Sequence, residues 1–201
     1  MTSLSDLVED VLACRACEVA GHLPRANPIR PTLLSDARVV LIGQAPGPVT
    51  DRKGYHFAGP AGTFLSAWLD RAGFPPNYFR EHVYLTSLTR CFPGKSASGN
   101  GDRAPSAAEI ALCRPFLERE LSAINPALVL LVGKMAIDAF VGKHPLAETV
   151  GHTYVIDGRM YLPLPHASGV SRWLNSPDNR ALLEQAIALL SQLRVELRLA
   201  P

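Results

Sequence analysis

Four cysteines stand out as residues whose type and spacing carry chemistry: Cys14 and Cys17 as a C-x2-C pair, then Cys91 and Cys113. The N-terminus, MTSLSDLVED, is acidic and has no apolar signal segment, so a cytoplasmic location is expected and metal binding is favoured over disulfides. Two residues between cysteines let both thiolates face one centre. An all-cysteine set suits zinc or an iron–sulfur cluster; four unrelated buried thiols are the plainer alternative. A thioredoxin-like redox pair fits less well, because no βαβ pattern surrounds Cys14 and Cys17.

The second concentration of chemistry is GQAPGPVTDRKGYHFAGPAG, Gly43 to Gly62. Val39-Val40-Leu41-Ile42 leads into it and the helix-like TFLSAWL, Thr63 to Leu69, leads out. A buried strand ending in glycine delivers backbone to a ligand at the carboxyl edge of an α/β sheet. A lone aromatic, Phe57, lies between two turns and suits a slot for a flat molecule. A glycine-rich surface loop with Phe57 in ordinary core packing is the competing reading. Neither GxGxxG nor GxxxxGK[ST] is present, so neither standard phosphate loop is predicted. The third stretch is PHASGVSRW, Pro165 to Trp173, in which His166 is a candidate hydrogen-bond donor or a surface histidine, and Arg172 a phosphate contact or a solvated charge.

Elements must position these residues. An apolar stripe predicts a helix over 3–13, and Pro24, Pro28 and Pro31 predict an extended loop over 18–36. Strands are expected at 38–42, an apolar run buried on both faces, at 83–88, which is β-branched and aromatic, and at 127–132, a third, buried run. The helix after the glycine-rich stretch is expected to end near Ala72, before Gly73. Ser106-Ala107-Ala108-Glu109 is a capping box opening a helix to about Ile124, with Pro115 tolerable in its first turns. Gly133 precedes a helix over 134–140. Residues 154–156 and 160–162 flank Asp157-Gly158 as a hairpin, and Asp178 is expected to cap a helix over 180–197. The fold predicted is a three-layer α/β/α arrangement around a mostly parallel four-stranded sheet, with loops at one edge gathering Gln44 to Gly62, Ser87 to Cys91, Gly133 and His166 to Arg172.

At 201 residues the chain is expected to be one domain over 1–201, with a flexible polar insertion, PGKSASGNGDRAP, at about 93–105. A 47% hydrophobic and 19% charged composition is that of a soluble globular protein, and no apolar run reaches a membrane span. The net charge of +2 admits a polyanionic partner without requiring one.

In order along the chain, CRAC at 14–17, GQAPG at 43–47, GYHFAGPAG at 54–62, TSLTRC at 86–91, Cys113, VGKMA at 132–136 and PHASGVSRW at 165–173 resemble the uracil-DNA glycosylase superfamily, closest to its iron–sulfur branch, family 4. The resemblance implies a monofunctional DNA-repair glycosylase that hydrolyses the N-glycosidic bond of uracil, or another deaminated base, and leaves an abasic site. It implies a structural 4Fe-4S cluster held by Cys14, Cys17, Cys91 and Cys113. It also implies that Phe57 stacks on the extruded base while His166 faces its O2, and that Gln44, Ala45 and Ser87 line the base site. Asp51 matches an aspartate common in the branch and is a candidate base. Ser168 and Arg172 are placed near phosphate and Val170 at the minor-groove wedge. The implied partner is single- or double-stranded uracil-containing DNA, bound by a monomer.

Three positions depart from the family pattern. Gln44 stands where glutamate is frequent, so that loop offers no carboxylate to hold water. Ser87 replaces the asparagine that reads the uracil edge, and a hydroxyl cannot make the paired contact of a carboxamide. His166-Ala167-Ser168 replaces HPS or HPA. Gln44 and Ser87 together favour a second reading, a non-catalytic or weakly catalytic protein that senses damaged bases with the same pocket. A redox protein with a working cluster is a third. Lys95, Arg103 and Arg172 are expected to contact phosphate.

Overall fold

The computed structural model describes residues 4–98, 101–167 and 172–200. The chain runs through α1 (Leu4–Ala13), α2 (Ala16–Val19), β1 (Val39–Gly43), α3 (Pro48–Lys53), α4 (Pro60–Arg71), α5 (Tyr78–Glu81), β2 (Val83–Ser87), α6 (Ala107–Ile124) and β3 (Leu128–Val132). It continues with α7 (Lys134–Phe140), α8 (Leu146–Thr149), β4 (Tyr154–Ile156), β5 (Arg159–Leu164), a 3-10 turn (Arg172–Asn175) and α9 (Pro177–Glu196).

The strands form one sheet in the order β2-β1-β3-β5-β4, parallel except for the antiparallel β4–β5 pair. It has five strands rather than the expected four, because both arms of the 154–164 hairpin pair into it. The turn between them places Asp157 at φ +50° and Gly158 at φ +73°, the two left-handed positions a type I′ hairpin requires.

β1, β2 and β3 are buried at every position, which is why β1 and β3 read as continuous apolar runs rather than alternating ones. Their side chains divide between two faces. Val39, Leu41, Leu85, Leu130 and Leu164 pack with Leu65 and Leu69 of α4 and Leu183 and Leu190 of α9. Val40, Ile42, Tyr84, Leu131 and Tyr161 pack with Leu117 and Leu121 of α6 and Ile137 of α7. Helices therefore cover both faces, giving the three layers.

The capping box of α6 forms as predicted: Glu109 N–H donates to Ser106 Oγ at 3.2 Å and Ser106 N–H to Glu109 Oε2 at 2.7 Å. Pro115 lies in the middle of α6, not in its first turns. The last helix is capped by Ser176 with Pro177 at its first position, two residues ahead of the expected Asp178, because proline's fixed φ suits N1. Short helices α2, α3, α5 and α8 escaped the pattern reading; each is four to six residues long, too short to show a helical period.

β1 lies in the middle of the parallel strands. The chain leaves it toward β2 over the α4 face and returns to β3 over the α6 face. The carboxyl end of β1 is therefore the topological switch point, where open α/β sheets bind ligands.

Candidate active site

A cavity of about 690 Å³ opens at that switch point. Gly43 to Thr50 form one wall, His56, Phe57 and Gly59 to Ala61 another, Ser87 the floor, and Val132, His166 and Ala167 the far side; Pro93, Gly101, Asp102 and Arg103 come in from the insertion. The stretch around which the sequence reading centred thus supplies most of the surface.

Local chemistry explains its shape. Gly47 and Gly59 cap α3 and α4, each followed by proline at N1, so both helices start at the cavity wall. The free N–H groups at the start of α4 present partial positive charge there. Gly54 ends α3 in the left-handed region at φ +76°, its N–H donating to Thr50 O at 2.8 Å. Thr50 Oγ1 accepts from Ala58 N–H at 3.3 Å, which ties α3 to the Phe57 segment.

Phe57 sits at φ +54°, a region that bulky residues rarely enter. Arg80 holds it there: Nη1 donates to His56 O at 2.8 Å and Nη2 to Phe57 O. Phe79 braces the ring edge-on, with centroids 6.3 Å apart at 77°. Two glycines make the placement possible. A Cβ at Gly43 would come within 2.8 Å of Phe57 Cζ, and one at Gly62 within 2.0 Å of Phe57 O. The aromatic face is built by β1, α4 and α5 together.

His166 follows β5 and is solvent-exposed at the cavity rim. The protein mass behind its ring lowers its pKa, with burial as the sole cause, so at neutral pH it is an uncharged imidazole. A Cβ at Gly133 would lie 3.3 Å from His166 Cδ2; glycine there lets the ring settle against the start of α7. Next to Phe57, His56 is buried with Nε2 unpaired. Burial, then the charge of Arg90, pushes its pKa down to about 3.

Ser87 ends β2 at the floor, its hydroxyl donating to Thr89 O at 2.7 Å. Beneath it is a fully buried ion pair, Arg90 Nη2 to Glu120 Oε2 at 2.6 Å, with Thr86 Oγ1 donating to the same oxygen at 2.8 Å and Arg90 Nη1 donating to Ser87 O. Burying two charges costs several kcal/mol each before their attraction is counted. This pair fastens the end of β2 to α6.

Asp51 does not line the cavity. Its Oδ1 accepts from Asn27 Nδ2 at 2.9 Å, and it borders a neighbouring depression with Arg25 and Phe92. Gln44, Ala45, Phe57, Ser87 and His166 are brought together; Asp51 stands outside their ring. Arg172 is exposed on the 3-10 turn; Ser168 and Val170 lie outside the described residues. Lys95 pairs with Asp102 at 2.7 Å, and Arg103 makes two bonds to Glu109, at 2.6 and 2.8 Å. Both insertion cations expected on phosphate thus have carboxylate partners. Pattern reading missed His56, Arg80 and Asp102. The signal available for His56 was its place where the family motif has proline.

The four cysteines gather at the outer end of β2. Cys17 and Cys91 are buried with Leu23 and Ala26, and Cys113 is buried on α6. Burial leads the causes that raise Cys17 to about 11, Cys91 to about 12 and Cys113 above its ordinary value. The like charges of neighbouring cysteines add to each, so the four lie within electrostatic reach of one another. Backbone N–H groups donate to the sulfurs, Asn27 to Cys91 and Arg90 to Cys113. Among the described residues no three His, Cys, Asp or Glu side chains converge as a site for one metal ion. Thiols enclosed in apolar surroundings and met by N–H donors are a donor set that suits a cationic cluster.

The switch-point cavity, lined by an aromatic ring and an imidazole, defines an α/β protein built to hold a flat heterocycle. The uracil DNA glycosylase superfamily model matches residues 31–191, and the chain belongs to that superfamily. It is 33% identical over 136 residues to the type-4 uracil-DNA glycosylase of Archaeoglobus fulgidus, covering 68% of this chain and 62% of that protein. It is 31% identical over 179 residues to the type-4 enzyme of Thermotoga maritima, covering 88% and 87%. It is 24% identical over 206 residues to that of Sulfurisphaera tokodaii, covering 97% and 86%. No helix among the described residues is long and apolar enough to cross a membrane.

Proposed function

We propose that this chain is a monofunctional glycosylase that hydrolyses the N-glycosidic bond of uracil in DNA. The observation that carries this reading is that Phe57 and His166 line the same switch-point cavity, in a chain of this superfamily. An enzyme acting on a base must extrude it into a pocket, stack it and read its edge. Phe57, fixed by Arg80, offers the stacking face.

Breaking the bond sends its electron pair to N1 and on to O2 of the base, while positive charge grows on the sugar. His166 is uncharged at neutral pH, so it donates an N–H to O2 without first giving up a proton. The start of α4 adds partial positive charge on the same cavity. Gln44 and Ala45 complete the wall, and Ser87 accepts from the base edge, since its own proton is engaged by Thr89 O. Asp51, joined to Asn27, supports the placement of α3.

Cys14, Cys17, Cys91 and Cys113 would hold a 4Fe-4S cluster, whose contribution when bound is a structural cross-link. The burial of Cys17, Cys91 and Cys113 beside one another supports that reading. Arg172, exposed on the 3-10 turn, is suited to phosphate together with Ser168, and Val170 to the minor-groove wedge. The protein acts as a cytoplasmic monomer over 1–201, on single- or double-stranded DNA.

A duplex with a single uracil, treated with alkali to reveal abasic sites, tests the activity. Cleavage at the uracil is expected, and His166→Ala should lower the single-turnover rate about a hundredfold while binding changes little. The sensor reading rests on uncharged Gln44 and on Ser87 in place of a carboxamide; it requires tight uracil-dependent binding without cleavage.

A further inference from the structure

We infer that Asp102, delivered by the insertion, is the carboxylate that holds and deprotonates the attacking water. This rests on the glycosylase reading above. Hydrolysis needs an acceptor for the proton of that water, and Gln44 has no charge to offer. Among the described residues that line the cavity, Asp102 carries the only carboxylate; Asp51 lies outside it, bonded to Asn27.

The insertion is built to present this side chain. Lys95 and Asp102 form a β-bridge, flanked by Arg103 N–H to Gly94 O at 2.9 Å and Ser96 N–H to Gly101 O at 3.2 Å. The base of the hairpin is anchored by the two bonds of Arg103 to Glu109 and by Arg103 Nε to Pro93 O at 2.9 Å. Glu109 sits at the start of α6, so the hairpin is fastened to the body of the protein. Lys95 Nζ holds Asp102 Oδ1 at 2.7 Å. The other oxygen, Oδ2, faces the glycine-rich wall: a Cβ at Gly47 would lie 3.8 Å from it. Glycine leaves that space open beside the loop that also carries Gln44. One carboxylate oxygen is thus fixed by a lysine and the other is turned toward the glycine-rich wall of the cavity.

The step balances as follows. A water oxygen forms a bond to C1′ of the deoxyribose as the C1′–N1 bond breaks. The bonding pair leaves with the base, whose O2 takes the N–H bond of His166. One proton of the water passes to Asp102 and from there to solvent. No oxidant, reductant or further reactant is needed.

The test uses the full chain with its cluster and single-turnover cleavage of a single-uracil duplex. Asp102→Asn should lower the rate by about a hundredfold or more, the scale of a general base, with unchanged melting temperature and duplex affinity. Asp102→Glu should retain more activity than Asp102→Asn, and only the asparagine variant should lose the acid limb of the pH–rate profile. Parental rates in Asp102→Asn, with His166→Ala still impaired, would overturn the role of Asp102 and leave the glycosylase reading intact. Equal losses in both Asp102 variants with an unchanged pH profile would also overturn it, assigning the hairpin a shape-only role. An inactive parent chain would remove the glycosylase reading, and this inference with it.

Discussion

The base cavity and the cysteine corner both grow from the end of β2, only four residues apart at Ser87 and Cys91, yet they are held in different ways. The cavity has the large α4–α9 core cluster behind it, and its walls are backbone, glycine and helix starts. Among the described residues, the apolar cluster around Cys17 and Cys91 adds just Leu23 and Ala26. A region with a full core can afford an aromatic residue at positive φ and an unpaired buried imidazole. A region without one depends on what its thiols bind. Arg90, which lies between Ser87 and Cys91 in the chain, pairs with buried Glu120 and ties the end of β2 to α6.

The largest effect is expected at the corner. Cys91→Ser removes a buried thiol that the proposed cluster would need and should destabilise the protein by more than about 4 kcal/mol, as loss of a structural metal centre does. Iron and sulfide analysis with a thermal melt reads this out; stoichiometric zinc without iron, or an unchanged melt in a metal-free chain, would break the comparison.

A smaller effect is expected at the clamp. Arg80→Met frees the Phe57 and His56 carbonyls, and the strained φ of Phe57, which is held at a cost of order 1–3 kcal/mol, can relax. Turnover should fall about tenfold, while iron content stays as in the parent. Arg80→Lys should recover part of the loss. An equal drop in iron would show that cavity and corner are one unit.

The third effect concerns acid. His56 has a folded pKa of about 3 against an ordinary 6.5, so below pH 6.5 the unfolded chain binds the proton that the folded chain excludes. Its contribution to stability is complete above pH 6.5 and falls on acidification by about 1.4 kcal/mol per pH unit, until about pH 3. Denaturation between pH 7 and pH 5 should show this slope, and His56→Asn should flatten it. An unchanged slope in the variant would place the acid sensitivity at another histidine, such as His166, whose pKa desolvation also lowers.

Much of the frame was legible before any coordinates. Buried parallel strands announce themselves as apolar runs, Asp157-Gly158 satisfies a type I′ turn, and Ser106 and Glu109 form a capping box from a four-residue pattern. The family resemblance rested on the order of such pieces, and the superfamily match covers most of them. Asp51 was nominated by position in a motif, but its rotation on α3 turns it toward Asn27, which no linear pattern expresses. The second arm of the hairpin escaped the strand count because pairing partners are set by the sheet.

The sequence by itself determined the layers, the strand end at Gly43, the aromatic at Phe57, the imidazole at His166 and the four thiols, since each follows from local propensity or residue chemistry. Only the tertiary structure decided which charges share a space. Arg80 reaches Phe57 from another helix, His56 lies within the field of Arg90, and Asp102 enters the cavity from an insertion that looked like a solvated loop. Such meetings depend on long-range packing, where a few ångströms separate a carboxylate in the cavity from one outside it.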